Sequence, residues 1–208
     1  MSRIKLCGLS RNEDIEAVNL FLPDYIGLVF ASSKRQVSIA QAAALRQRLD
    51  PRIRAVGVFV GSSLREIGYL TEAGIIDIVQ LHGDESEEMV RQVRQETGKP
   101  VIKAVSVREP GDILRWQDSD ADYLLFDQGR GGTGTAFNWN YLETAGAVNK
   151  PFFLAGGLNP DNLEQALAYR PYGVDISSGA ESEGRKDREK IEKLTNIVRR
   201  QKLEERRK

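Results

Sequence analysis

Eight short apolar runs recur along the chain, and each is followed by a stretch that reads as an amphipathic helix. The runs are rich in Val, Ile, Leu and Phe and mostly lack polar alternation, which is typical of parallel strands buried on both faces. They occupy residues 3–9, 25–30, 54–60, 76–82, 101–107, 122–128, 152–158 and 173–179. This regular succession predicts strands that pair in parallel through helical crossovers.

Two of the intervening stretches carry signals for both ends of a helix. Residues 38–50 open on Ser38, a residue type that caps helix N-termini, and continue with apolar residues at helical spacing. Residues 86–98 open on a serine, place glutamates in the first turn and end at Gly98. We therefore predict a helix in each stretch.

Two further helices are predicted near the end of the chain. Residues 159–170 offer Asn159 as the N-cap, with Pro160 at the first helical position. The last helix is expected to run from about Asp187 into the basic tail at 199–208. Cations in that tail would lie near the negative end of the helix dipole.

Eight strand–helix units indicate an α/β fold, a closed (β/α)8 TIM barrel, with all of 1–208 in a single domain and a charged C-terminal helix end at about 187–208. A doubly wound open sheet is the alternative. Its dinucleotide-binding form needs several glycines after the first strand, and residues 7–14 supply one.

Charge and composition narrow the class of function. The chain of 208 residues carries 30 basic and 30 acidic side chains, which argues against a main role on nucleic acid or an anionic membrane surface. A single cysteine allows no intrachain disulfide, and no run is apolar for the roughly 18 residues of a membrane helix. With no secretion signal evident, we expect a cytoplasmic protein. One histidine and no cysteine pair make a zinc site a poor interpretation.

Polar and chemically distinctive residues follow several of the predicted strands. In a (β/α)8 barrel, the C-terminal ends of the strands form the rim that carries the active site. The residues expected on this rim include the only cysteine and the only histidine: Cys7, Arg35, His82, Asp127 and Asp175. Their convergence on one face predicts a catalytic site there.

Glycine-rich turns after strands 6, 7 and 8 suggest what is bound. Glycine lets backbone N–H groups approach an anion, and the loops after strands 7 and 8 often hold phosphate in this fold. Tight turns are the alternative explanation for any one of them. The residues predicted to surround a phosphate are Gly132, Gly134, Gly156, Gly157, Ser177, Ser178 and Gly179.

Several motifs, in order along nearly the whole chain, resemble the phosphoribosylanthranilate isomerase family of tryptophan biosynthesis. They are KLCGL, VGVFV, QLHG, VIKAV, FDQGRGGTG, LAGGLNPDN and GVDISSGAE. The resemblance implies a (β/α)8 barrel without cofactor or metal. It also implies an Amadori rearrangement of N-(5-phosphoribosyl)anthranilate to 1-(2-carboxyphenylamino)-1-deoxyribulose 5-phosphate.

The resemblance also implies roles for individual residues. Cys7 matches the general base and Asp127 the general acid. Arg35 matches the arginine that holds the anthranilate carboxylate, and Asp175 an aspartate near the substrate. His82 could line the pocket or brace the barrel. Lys103 in VIKAV could supply positive electrostatic potential for an anionic substrate or could cap the end of strand 5.

The chain departs from the family pattern in its loops. The family commonly reads GGTGKTFDW where this chain reads GGTGTAFNW, so Thr135 and Asn138 replace a lysine and an aspartate. The loop to Arg35 is also one residue shorter than usual and lacks a common proline. Because Cys7 and Asp127 are both present, the departures concern loop detail and affinity.

Other phosphosugar barrels and a non-catalytic phosphate-binding barrel are the rival interpretations. Indole-3-glycerol-phosphate synthase would need more catalytic lysines and glutamates at strand ends, and a ribulose-phosphate epimerase would need metal-binding histidines. We expect a small-molecule substrate, no nucleic-acid or membrane partner, and a monomer, with a dimer as the alternative.

Overall fold

Eight parallel strands close into a barrel in chain order in the computed structural model, which describes residues 2–128, 138–146 and 148–205. The predicted barrel is therefore confirmed, and each apolar run contains one strand. The strands are β1 (Arg3–Cys7), β2 (Tyr25–Val29), β3 (Arg54–Phe59), β4 (Ile78–Leu81), β5 (Val101–Ser106), β6 (Tyr123–Asp127), β7 (Phe152–Leu154) and β8 (Gly173–Ile176).

Helices on the outside of the barrel follow the strands. They are α1 (Asn12–Phe21), α2 (Ile39–Arg48), α3 (Leu64–Glu72), α4 (Glu87–Thr97), α5 (Pro110–Trp116), α6 (Asn140–Thr144), α7 (Leu163–Ala168) and α8 (Arg188–Glu205). As predicted, Ser38 caps α2 by accepting a hydrogen bond from the Gln41 amide. The helix α4 ends at Gly98, which takes up the left-handed conformation at φ 61°.

The predicted start of the helix after β7 was wrong. Helix α7 begins at Leu163, so neither Asn159 nor Pro160 takes its expected place. The Asn159 side chain instead accepts a hydrogen bond from the Asp161 amide, while Asn162 Oδ1 accepts one from the Asn159 amide. These short-range bonds form a turn that delays the helix by three residues.

Aromatic rings fill the N-terminal half of the barrel interior. Phe153 meets Tyr25 edge-to-face with ring centroids 5.7 Å apart, and it packs in the same way against Tyr123 and Tyr172. The hydroxyl groups of Tyr25 and Tyr172 lie 2.8 Å apart. This layer fills the barrel at the N-terminal ends of the strands, so the polar side chains near the C-terminal ends of the strands lie above an apolar layer.

A short hairpin that the sequence analysis did not predict lies between β8 and α8. It consists of β9 (Glu181–Ser182) and β10 (Arg185–Lys186), which pair antiparallel. Glu183 and Gly184 turn the chain with φ values of 52° and 75°. Positive φ at both central residues is the geometry that suits a two-residue hairpin.

No helix in the described part of the chain is both long enough and apolar enough to cross a membrane.

Candidate active site

Cys7 ends β1 and is buried at the rim of the barrel. Its strand neighbour is Gly27, and a Cβ atom on that glycine would come within 2.7 Å of the Cys7 sulfur. The missing side chain of Gly27 thus makes room for the thiol. Burial raises the pKa of the Cys7 thiol, and the nearby ammonium groups of Lys5 and Lys186 act in the opposite direction.

A buried ion pair lies directly below the thiol. Lys5 Nζ donates to both carboxylate oxygens of Asp175 at 2.9 Å, and the two residues are neighbours in the β1–β8 register. Burial by itself would lower the pKa of Lys5, but Asp175 and Cys7 raise it above its usual value. Asp175 is therefore at the predicted site, paired with a lysine, and the pair keeps Lys5 charged beside Cys7.

Asp127 ends β6 at the same rim, and His82 follows the end of β4. The Nε2 atom of His82 lies 3.7 Å from Asp127 Oδ2, while Asp127 Oδ1 accepts a hydrogen bond from the Gln128 amide at 2.7 Å. Gln80 Nε2 lies 2.6 Å from His82 Nδ1. Where the Gln80 amide nitrogen donates to Nδ1, the ring hydrogen of a neutral His82 lies on Nε2, which faces Asp127.

Arg35 reaches the rim from the loop after β2. Its Nε and Nη2 atoms donate to Glu181 Oε1 at 2.6 Å and Oε2 at 2.7 Å. The side chain crosses Gly8, which has φ 83°, and occupies the space where a Cβ atom on Gly8 would lie. Arg35 is thus held next to Cys7 by a glycine below it and a carboxylate beside it.

Lys186 completes this group from the hairpin β9–β10. Its Nζ donates to Glu181 Oε1 at 2.6 Å and to the Ser177 carbonyl at 2.9 Å. Ser177 in turn donates from Oγ to the Cys7 carbonyl at 3.2 Å. Burial lowers the pKa of Lys186, and its bond to Glu181 opposes that effect. The hairpin therefore adds a buried cation near the thiol.

The predicted phosphate residues after β7 and β8 come together. Gly179 packs so closely against the Leu158 carbonyl that a Cβ atom would not fit. Among the described residues, none accepts a hydrogen bond from the backbone amides of Gly156, Gly157, Ser178 and Gly179. A cavity of about 440 Å³ opens beside this turn, with Lys190 and Lys193 in its lining. Gly132 and Gly134 lie outside the described residues.

Lys103 lies apart from this site. Its strand neighbours Ile102 and Ala104 belong to the apolar cluster inside the barrel, so Lys103 extends to the outer face. There its Nζ donates to the Gly83 carbonyl at 2.6 Å and to Glu85 at 3.1 Å. This lysine therefore ties the loop after β4 to β5 and does not face the barrel mouth.

Four residues of the site were not among the sequence-based candidates: Lys5, Gln80, Glu181 and Lys186. A charged or polar residue inside an apolar run, as at Lys5 in IKLC and Gln80 in IVQL, is a signal that could have identified the first two. Glu181 and Lys186 lie in the charged stretch ESEGRKDREK, where a solvated surface is the ordinary interpretation.

Among the described residues, no group of three or more His, Cys, Asp or Glu side chains could hold a metal ion. The site is built instead from one thiol, the Asp127 carboxyl at the end of β6 and several cations, with the glycine turns after β7 and β8 beside them. This composition suits acid–base chemistry on an anionic small molecule.

A family described as N-(5'phosphoribosyl)anthranilate (PRA) isomerase matches residues 4–197. The chain belongs to this family. The isomerase of Clostridium acetobutylicum is 44% identical over 205 residues, which cover 96% of this chain and 98% of that protein. The barrel, the thiol and the aspartate thus occur in a chain related over nearly its full length to phosphoribosylanthranilate isomerases.

Solved structures of phosphoribosylanthranilate isomerases share the fold. One is a complex with reduced 1-(o-carboxyphenylamino)-1-deoxyribulose 5-phosphate, with a TM-score of 0.85, 32% identity, and coverage of 96% of this chain and 99% of that chain. Another is described as monomers generated from the dimeric isomerase of Thermotoga maritima, with the same TM-score of 0.85, 32% identity, and coverage of 96% and 99%. The family therefore includes both a dimer and monomers derived from it.

Proposed function

We propose that the chain carries out the family's isomerisation of N-(5'-phosphoribosyl)anthranilate with Cys7 as general base and Asp127 as general acid. The placement of the two side chains supports this proposal. β1 and β6 are separated by β7 and β8 in the closed barrel, and both residues end their strands at the same rim. A sugar seated across the mouth would therefore have a thiol on one side and a carboxyl on the other.

Opening the ribose ring is the step assigned to Asp127. The anthranilate nitrogen supplies its electron pair to C1 as the bond from C1 to the ring oxygen breaks, and Asp127 gives a proton to that oxygen. Such a positioned acid contributes roughly 10²–10⁴-fold in rate. The carboxylate that remains faces Nε2 of His82 and keeps its bond from the Gln128 amide. Both groups stabilise the negative charge that develops.

Removal of the proton from C2 is the step assigned to Cys7. The iminium ion formed by ring opening makes that proton acidic, and the Cys7 thiolate takes it to give an enolamine, which tautomerises to the ketone. Burial alone disfavours the thiolate. A positive iminium close to the sulfur favours it, as do Lys5 and Lys186. The charge balance therefore places proton removal after ring opening.

Two anion sites would hold the substrate at its ends. Arg35 offers a planar donor fork for the anthranilate carboxylate. The unbonded amide groups of Gly156, Gly157, Ser178 and Gly179 are suited to the phosphate, since backbone N–H groups in glycine turns form anion sites. A substrate held at both ends in this way would have its sugar between Cys7 and Asp127.

Loss of phosphoribosylanthranilate fluorescence on addition of the protein is the direct test. We expect turnover by the parent chain, and a fall of several orders of magnitude in kcat for Cys7→Ala and for Asp127→Asn. Asp118→Asn removes an exposed carboxylate outside the rim and is the matched control. Rates near that of the parent in either rim variant would refute the assigned roles, and absence of turnover by the parent would refute the activity.

We further propose that the chain is a monomer, with the dimer as the alternative, because its large exposed apolar side chains are scattered over different elements. Sedimentation equilibrium at micromolar concentration tests this directly, and a mass of twice the 23.2 kDa of the chain would refute it.

A further inference from the structure

We propose that Glu181 is a positioning residue that fixes the orientation of Arg35 and thereby sets the preference of the site for a carboxylate-bearing ring. The proposal rests on the proposed function in one respect, the role of Arg35 toward the anthranilate carboxylate. It adds a residue of the hairpin β9–β10, which neither touches the reacting atoms nor belongs to a barrel strand.

The first step of the argument is the way Glu181 uses the Arg35 fork. A guanidinium group has five N–H donors in one plane. Glu181 accepts from Nε and from Nη2, at 2.6 and 2.7 Å, and so occupies one edge of the plane. The edge formed by Nη1 and the second hydrogen of Nη2 still presents two parallel donors. A second carboxylate can bind that edge in the same bidentate manner.

The second step is the rigidity of Glu181 itself. Its side chain is 6% exposed, and its Oε1 atom also accepts a hydrogen bond from Lys186 Nζ at 2.6 Å. Glu181 and Lys186 are paired across the two strands of the hairpin. Its backbone carbonyl accepts from Lys190 Nζ at 2.6 Å. Arg11 Nη2 donates to the Lys186 carbonyl at 3.2 Å. Contacts from Arg11, just before α1, and from Lys190 in α8 therefore anchor the hairpin that carries the carboxylate.

The third step is the freedom that Arg35 would otherwise have. It lies outside the regular strands and helices, in a loop where its own amide bonds Ser33 Oγ. Its side chain meets Gly8 beside Cys7, which limits the stem but leaves the end of the guanidinium free to rotate. Immobilising one long side chain upon binding weakens affinity by up to about tenfold. Glu181 removes that cost before the ligand arrives.

The group Arg35, Glu181 and Lys186 carries one surplus positive charge. This allows the effect of orientation to be separated from the effect of charge. Glu181→Gln removes the bidentate acceptor and raises the charge of the group. The double variant Glu181→Gln/Lys186→Met removes the acceptor and leaves the charge of the group unchanged.

Binding of two ligands to the full chain tests the proposal. One is reduced 1-(o-carboxyphenylamino)-1-deoxyribulose 5-phosphate, and the other is the same compound with a phenyl ring that lacks the carboxylate. We expect the parent to prefer the first by at least about tenfold in Kd, as a charge-assisted bidentate bond requires. Both Glu181 variants should lose about tenfold of that preference, while Kd for the phenyl compound changes less than threefold. For Glu181→Gln alone, KM for substrate should rise about tenfold, with kcat reduced less than threefold.

Two controls identify the cause of a negative result. Glu181→Asp keeps the charge but shortens the side chain by one methylene, and we expect it to restore part of the preference. Adding Glu181→Gln to Arg35→Ala should change the preference no further, because the two residues act through one interaction. A preference retained in both Glu181 variants, or equal weakening of both ligands, would overturn the positioning role alone. A preference retained in Arg35→Ala would overturn it together with the assignment of Arg35.

Discussion

The buried pair of Lys5 and Asp175 gives the most direct test of the electrostatic description of the barrel mouth. Lys5 is fully buried, Asp175 is 8% exposed, and the ammonium group donates to both carboxylate oxygens at 2.9 Å. Lys5→Met removes one partner and leaves a buried carboxylate without its counter-charge. Breaking a buried pair in this way costs about 3–5 kcal/mol. With a urea dependence of about 3 kcal/mol per molar, the unfolding midpoint should fall by roughly 1–1.7 M.

The double variant Lys5→Met/Asp175→Asn separates charge from packing. Asn replaces Asp with nearly the same volume and no charge. An unsatisfied neutral group costs about 1–3 kcal/mol, so the double variant should recover about 2 kcal/mol of the loss. Urea unfolding followed by tryptophan fluorescence measures both variants against the parent. A single variant within about 1 kcal/mol of the parent, or a double variant less stable than the single one, would refute the description of a charged pair in a poorly solvated interior.

The dependence of this difference on pH follows from the pKa of Lys5. Burial lowers it, but Asp175 and Cys7 raise it by more, so the folded value lies above the unfolded one. The stabilisation by the pair is then fully present below the ordinary lysine pKa of about 10.4 and is lost as the pH rises through the folded value. The difference in stability between parent and Lys5→Met should be constant through neutral pH and shrink only above about pH 10.

Three further predictions concern neighbouring features. Because burial raises the pKa of Cys7, alkylation by iodoacetamide should be slow at pH 7 and should keep rising about tenfold per pH unit beyond the ordinary thiol value of about 8.5; a plateau below pH 8 would contradict this. Lys103→Met should cost about 3 kcal/mol by leaving the buried Glu85 carboxylate without its counter-charge, yet KM should change less than twofold. A large rise in KM would place Lys103 at the substrate. Gly8→Ala places a methyl group against Arg35 at φ 83°, so it should raise KM at least about fivefold with a stability cost of about 1–2 kcal/mol; an unchanged KM would show that Arg35 does not depend on that contact.

The barrel could be predicted from the sequence because each strand is buried on both faces. Continuous apolar runs such as those containing β3 and β6 are buried at lowest cost as inner strands of a parallel sheet covered by helices. The N-cap at Ser38 and the C-terminal glycine of α4 could be predicted because both act through local hydrogen bonds. The start of α7 was missed because two asparagines three residues apart, Asn159 and Asn162, compete for the same turn.

The candidate site was most predictable where a residue lies at or near the end of a strand. Cys7, His82 and Asp127 could be placed on one rim because parallel strands all end on the same face. The hairpin β9–β10 has two residues in each strand, which is too short for any hydrophobic period. Glu181 in this hairpin pairs with Arg35, which lies 146 residues away in sequence. A single sequence holds no signal for an ion pair between two loops at that separation.

The buried ion pairs around Cys7 lie in a part of the barrel interior that apolar side chains could also fill. Replacing buried pairs with apolar side chains is often neutral or stabilising, so we expect that the fold does not require the pairs at this rim. The aromatic layer of Tyr25, Tyr123, Phe153 and Tyr172 and the shell between sheet and helices supply the apolar burial that keeps the barrel folded.

The pairs have a chemical consequence that an apolar interior would lack. Asp175 neutralises Lys5, whereas Glu181 is shared by two cations, so one positive charge remains beside the thiol. That charge favours a thiolate and attracts a substrate that carries a carboxylate and a phosphate. Because burial at the same place disfavours the thiolate, we expect Cys7 to be mainly a thiol in the resting protein and to ionise more readily when a positive iminium forms next to it. An arrangement of this kind limits proton removal to the moment when the C2 proton of the opened sugar is acidic.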